Sequence, residues 1–128
     1  MTSQTASAPV SPSVLQPPIL LREQVGDVAV LTLNRPEARN SLSEGLIAAL
    51  TTELRHIRDD LSVRVVVIAA SGKAFSAGHD IKELTARRSD ADRGRAYFTE
   101  IMTACSTMMQ TIVHLPKPVV AAVQGIAT

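Results

Sequence analysis

The sequence predicts an α/β layered fold with parallel crossovers, on three observations. Residues 63–70, Val-Arg-Val-Val-Val-Ile-Ala-Ala, and residues 119–123 are valine-rich apolar runs of the kind found in strands covered on both faces. Apolar residues elsewhere recur at helical spacing. The elements follow one another as ββαβααβ, and strands separated by helices imply crossover connections in a parallel sheet. At 128 residues, 45% hydrophobic and 20% charged, the chain has the length for one core, so one domain or part of one is expected.

Residues 1–18 are rich in Ser, Thr, Gln and Pro with few large apolar groups, too little to offset the entropy of ordering, and read as a flexible tail. The folded part is expected over residues 19–128. Residues 19–25 and 28–34 alternate β-branched and polar side chains and are joined by Gly26-Asp27, a hairpin signal. Arg35-Pro36 stops the second strand. Ser41-Leu42-Ser43-Glu44 reads as a capping box, followed by Leu46, Ile47, Leu50, Leu54 and Ile57 on one face of a helix. Residues 63–70 form a central parallel strand, and Ser71-Gly72-Lys73 turns the chain. Asp80, with Glu83 three residues on, caps a short helix from about Ile81. Residues 86–92 are polar and read as an exposed loop. A long helix over about 91–113 carries Phe98, Ile101, Ala104, Cys105, Met108, Met109 and Ile112 as its apolar stripe, and Pro116 and Pro118 close it. Residues 119–123 repeat the buried-strand signature before a turn at Gln124-Gly125.

Composition excludes several functions. A net charge of +1 gives no broad basic field, so no nucleic-acid partner is expected. With 2% aromatics and no Trp, stacking platforms and aromatic membrane anchors are poorly supplied. No apolar run approaches the roughly 20 residues that span a bilayer, and no secretory leader pattern opens the chain. Cys105 is the only cysteine, so no intramolecular disulfide forms, and no Cys/His cluster has zinc-ligand spacing. A cytoplasmic enzyme is the expectation. The Ser/Thr-rich, acid-free first 22 residues, with their single Arg, leave a mitochondrial location as the alternative.

The chemistry-bearing stretch is Lys73-Ala74-Phe75-Ser76-Ala77-Gly78-His79-Asp80-Ile81-Lys82-Glu83-Leu84, a small-residue loop that leaves a buried strand and opens a helix. Ligands of open α/β sheets bind beyond the carboxyl ends of strands, where backbone N–H groups lack partners. Gly78 leaves room for an approaching ligand, and capping by Asp80 leaves the His79 peptide N–H free to face a negative oxygen. Taken without its neighbours, the same stretch is an ordinary strand-to-helix turn with an N-cap. Cys105 sits within an apolar stripe and reads as packing, and Asp80 and Glu83 as capping groups. His56 falls on a polar helix face and His114 near a helix C-terminus. Arg87, Arg88, Arg93 and Arg95 form a local basic cluster on a solvated loop.

The stretch KAFSAGHDIKEL is similar to the loop with which crotonase (enoyl-CoA hydratase/isomerase) family proteins hold an acyl-CoA thioester. LTLNRPEARNSLS at residues 31–43 resembles the family's first CoA-binding segment, and PKPVVAAVQGIAT at residues 116–128 its next core strand. The resemblance covers residues 19–128 and implies a crotonase-like (ClpP/crotonase) layered fold, incomplete at the C-terminus. It further implies that the His79 N–H is one of two oxyanion-hole donors, and that Ala38, Arg39, Ala74, Ser76, Ala77, Gly78 and Lys82 contact the ligand, Lys82 at a phosphate. Where a basic residue is frequent in the family this chain has Glu37, and Arg39 stands nearby as a substitute. The family's second donor and its catalytic carboxylates map beyond Thr128. The 128 residues alone are therefore expected to be inactive. Coenzyme A enters only as part of the substrate, with no other cofactor, and a complete protein is expected to assemble as a trimer or dimer of trimers. The rival reading is a non-catalytic module that binds CoA esters or serves in assembly.

Overall fold

The computed structural model describes residues 17–128; most of the expected tail, residues 1–16, lies outside the described residues. Strand β1 (Leu20–Val25) and strand β2 (Val28–Leu33) form the expected antiparallel hairpin, from Leu20 opposite Leu33 to Val25 opposite Val28. Gly26 takes φ +61° at the first turn position, a conformation that costs glycine nothing. Helix α1 (Glu44–Arg58) then crosses over to strand β3 (Val65–Ala70), which runs parallel to β2 on one side and to strand β5 (Val119–Ala121) on the other. The sheet order is β1-β2-β3-β5, so β3 is interior, as its apolar run predicts.

A second, two-stranded sheet was not expected. Strand β4 (Ala74–Ser76) lies inside the small-residue loop and pairs in parallel with strand β6 (Ile126–Ala127). Between them come helix α2 (Ile81–Ala86), a 3-10 turn at Arg87–Ser89 and helix α3 (Arg95–His114). The long helix begins a turn later than its sequence pattern indicates: Asp92 ties back to the N–H groups of Gly94 and Ala96, while Arg93 and Gly94 both have positive φ.

The core joins one face of the main sheet (Leu31, Leu33, Val66, Ile68) to α1 (Leu46, Ile47, Leu50, Leu54, Ile57) and α3 (Tyr97, Ile101, Cys105, Met108). Each such buried aliphatic side chain contributes about 1.5 to 3 kcal/mol relative to exposure. The α3 stripe is rotated from the expected one. Tyr97 is buried, its hydroxyl reaching Glu44 Oε2 at 3.4 Å, whereas Phe98 and Met109 are 52% and 46% exposed. Burial of the valine runs also differs from expectation. In β3 only Val66 and Ile68 are fully covered, and in β5, at the sheet edge, Val120 and Ala121 are exposed.

Candidate functional site

The loop between β4 and α2 is held from below by the segment after β2. Pro36–Ala38 makes a 3-10 turn, and Arg39 and Asn40 follow it at φ 53° and 52°. Two successive left-handed residues are unfavourable for ordinary side chains, and asparagine is among the few that tolerate the region. Asn40 is completely buried. Its amide nitrogen donates to the carbonyls of Ser71 (2.8 Å) and Ala74 (3.0 Å), and its Oδ1 accepts from the Arg35 N–H (2.7 Å). One side chain thereby fixes the end of β2, the end of β3 and the start of β4. Asn40 carried no expected role; asparagine just after a proline turn is the signal that marks it.

Ser76 is 9% exposed, and its hydroxyl donates to the Asn40 carbonyl (2.9 Å) and accepts from the Gly78 N–H (3.2 Å). The Ala77 N–H donates to Arg39 O at 3.0 Å. Beyond it, the Leu42 N–H donates to Gly78 O (2.7 Å) and the Asp80 N–H to Leu42 O (3.2 Å), a single parallel bridge of Leu42 with His79. In this bridge the residues on either side of His79 face Leu42, so the N–H and C=O of His79 itself point the opposite way. Among the described residues, that N–H donates to nothing. Gly78, at φ 82°, allows the reversal, and a Cβ there would stand 3.0 Å from the Thr128 carbonyl oxygen. The imidazole Nδ1 of His79 is buried and also has no partner among the described residues.

Asp80 anchors the far side. Its Oδ1 accepts from the Glu83 N–H (3.2 Å), the expected N-cap, and its Oδ2 meets the Arg35 guanidinium at 3.4 Å and the Ser41 hydroxyl at 3.3 Å. The capping box expected at Ser41 is displaced: Ser43 caps α1 by accepting from the Leu46 N–H, while Ser41 is drawn onto Asp80. Glu83 reaches across to the Glu44 N–H at 2.8 Å, satisfying the first turn of α1 from a different helix. Arg87, at the edge of the basic cluster, pairs with Asp90 at 2.8 Å and lies 4.3 Å over the Tyr97 ring.

Burial pushes the Asp80 carboxyl up, but the hydrogen bonds from the Glu83 N–H and Arg35, the charge of Arg35 and the Ser41 hydroxyl together hold it below the usual carboxylate range. The folded state thus binds fewer protons at this group than the unfolded state. Its stabilisation is complete above the unfolded value of about 3.9 and is lost as pH falls through the lowered folded value. Denaturant unfolding of the wild type and Asp80→Asn between acid and neutral pH should show a stability gap that closes on acidification; a gap independent of pH would contradict this. Burial pushes the Cys105 thiol up, away from the thiolate that a nucleophile needs, in keeping with a packing role.

Two cavities flank the loop. One of about 560 Å³ is lined by Arg39, Ala74, Ser76 and Ala77 of the expected ligand-contacting residues, together with Lys73. The other, of about 320 Å³, takes Ala38 and Lys82, beside Arg35, Glu37 and Asp80. The expected contacts are therefore split between two surfaces, and the Gly78 and His79 side positions line neither. An apolar cavity of about 440 Å³, walled by Leu42, Ile68, Phe75, Met108 and Ile112, shares Ser76 and Thr128 with the first. The loop that carries His79 thus reaches the first of these cavities through Ala77 and the second through Asp80. No helix among the described residues is long and apolar enough to cross a membrane.

This α/β fold carries a pinned loop with an unspent backbone N–H, and comparison with known proteins identifies its class. The pattern of the Enoyl-CoA hydratase/isomerase family matches residues 23–128, and the chain belongs to that family. It is 38% identical over 111 residues to enoyl-CoA hydratase domain-containing protein 3, mitochondrial, of Xenopus laevis, covering 87% of this chain and 36% of the relative. It is 36% identical over 104 residues to the Homo sapiens protein of that name, covering 81% of this chain and 33% of the relative. Among solved structures, the enoyl-CoA hydratase of Mycobacterium smegmatis superposes with a TM-score of 0.75 at 45% identity, over 84% of this chain and 40% of that one. Human enoyl-CoA hydratase domain-containing protein 3 gives 0.76 at 34% identity, over 84% and 41%. The layered crotonase fold is therefore shown, and the chain spans about two fifths of the length of these solved structures.

Proposed function

We propose that this chain forms the thioester-binding part of a protein that acts on acyl-CoA esters, with the His79 N–H as a donor to the thioester carbonyl oxygen. The observation that carries the reading is the orientation of that amide in the Leu42–His79 bridge. Reaction at the α or β carbon of a thioester places negative charge on the carbonyl oxygen. A fixed N–H, already turned outward before the ligand arrives, stabilises that charge without reorganisation. Gly78 and Ala77 supply the close backbone approach, while Ser76 holds the loop through its side chain. The acyl end enters the apolar cavity and the carrier lies along the cationic groove. A full oxyanion hole takes two donors, and loss of one costs about 2.7 to 4 kcal/mol of transition-state stabilisation. The described residues supply the first; hydration or double-bond shift by the complete protein follows only when a second donor and acid-base carboxylates join it. The trimeric assembly expected of the complete protein belongs to the same proposal. The names of the vertebrate relatives favour a mitochondrial over a cytoplasmic location.

Titration calorimetry with acetoacetyl-CoA, an enolisable thioester, should give saturable one-site binding. Absence of heat with any CoA ester would overturn the reading.

A further inference from the structure

A further cavity, of about 480 Å³, is lined by α2, the start of α3 and the turns between them, and it shares no residue with the apolar cavity or with that of Arg39 and Lys73. Ile81, Leu84, Thr85 and Arg88 reach it at helical spacing along α2 and the 3-10 turn that follows. Arg95 and Phe98, a turn apart on α3, join them with Asp92, Arg93 and Gly94. Two of its apolar residues lie outside the core: Ile81 is 66% and Phe98 52% exposed. Among the described residues, Arg88, Arg93 and Arg95 have no acidic side chain within ion-pair distance. Their neighbour Arg87 differs, being held by Asp90 at 2.8 Å and stacked on the Tyr97 ring. The one carboxylate in the lining, Asp92, is already engaged, accepting from the Gly94 N–H at 3.0 Å and the Ala96 N–H at 2.9 Å. Three cations against one engaged carboxylate give the cavity a positive field beside an apolar surface.

We propose that this cavity binds an aliphatic carboxylate, a ligand separate from the thioester, with its head group on Arg88, Arg93 and Arg95 and its chain over Ile81, Leu84 and Phe98. Its volume falls within the range of about 300 to 1,000 Å³ typical of small-molecule sites. A guanidinium fork matches the two oxygens of a carboxylate and is weakly hydrated, so it gives up little when a chain covers it. The chain in turn takes Ile81 and Phe98 out of water, which a bare anion would not do. The turn that carries Arg93 is fixed before the ligand arrives. Arg93 itself has φ 61°, and a Cβ on Gly94 would stand 2.8 Å from the Arg87 carbonyl oxygen, so the turn is tightly packed. Presenting the cation on such a turn costs little backbone entropy on binding.

The test is a titration with decanoate followed through the side-chain NMR signals, repeated with decanol as the uncharged control. Decanoate should shift Ile81, Leu84 and Phe98 saturably. The combined variant Arg88→Gln, Arg95→Gln should weaken decanoate binding about tenfold, as expected when charge-assisted pairs are lost. It should leave the weaker binding of decanol, and that of acetoacetyl-CoA, unchanged. Decanoate affinity that does not depend on the arginines would overturn the assignment, and so would shifts confined to Ile68, Met108 and Ile112, which would place the chain in the apolar cavity. A parallel loss of acetoacetyl-CoA binding would return the arginines to the thioester site and overturn it as well. The decanoate result stands on its own whether or not a thioester binds, so failure of the acyl-CoA reading is distinguishable from failure of this one.

Discussion

Asn40→Ala should lower the unfolding free energy by about 3 kcal/mol or more, since three hydrogen bonds disappear from a site with no solvent access and each orphaned buried group costs about 1 to 3 kcal/mol. Alanine also pays about 1 to 2 kcal/mol in the left-handed region that Asn40 occupies at φ 52°. Against a total stability of about 5 to 15 kcal/mol, that loss is a large share. Asn40→Gly separates the two contributions, because it removes the same hydrogen bonds while accepting the backbone geometry. It should therefore be less damaging than Asn40→Ala. Urea unfolding followed by circular dichroism measures both, and a wild-type midpoint for Asn40→Ala would show that the side chain is not the joint between β2, β3 and β4.

Gly125→Ala should be comparably severe for a steric reason. The added Cβ would fall on the Lys73 carbonyl oxygen, 3.0 Å from its carbon and 3.4 Å from the Ala74 Cα. These are backbone atoms, so no side-chain rotation relieves the overlap, and strand β6 must move off β4. Overpacking of this kind costs about 1 to 3 kcal/mol, with backbone clashes towards the upper end. The displacement also removes the Thr128 N–H from the Ser76 carbonyl, where it donates at 3.0 Å. The loop that presents His79 then loses its outer support, so thioester affinity should fall together with stability. Unfolding and titration on the same variant test the pair; an unchanged midpoint with unchanged affinity would mean that β6 does not support the site.

Much of the framework was legible because its signals are long or chemically specific. The hairpin has alternation and a Gly-Asp turn, the interior strand has an uninterrupted valine run, and Asp80 caps α2 as its spacing with Glu83 indicates. The features that escaped notice are shorter or depend on tertiary contacts. Strands β4 and β6 have three and two residues, too few for any periodicity. Ser41 and Ser43 both fit an N-cap, and only the position of Asp80, distant in sequence, decides that Ser41 is used for docking and Ser43 for capping. On α3, hydrophobicity ranks Phe98 above Tyr97, yet the phenol is the side chain buried because its hydroxyl finds Glu44. Exposure of Val120 likewise follows from what covers a strand, which the strand's own residues do not specify.

For the site, the loop and its donor were legible from small residues beside a capped helix and from resemblance to a known thioester-holding loop. The division of the expected contacts between two cavities was not, since Ala38 and Arg39 are adjacent in sequence but line different surfaces. The left-handed turn at Arg39 produces that division.

The outward His79 amide is tested most directly by following the backbone ¹⁵N–¹H signals while acetoacetyl-CoA is added. The His79 proton resonance should move downfield as the amide acquires an acceptor, with a larger change than those of Ala77 and Asp80, whose N–H groups are already engaged by Arg39 and Leu42. A saturating titration in which the His79 resonance stays in place would contradict the account.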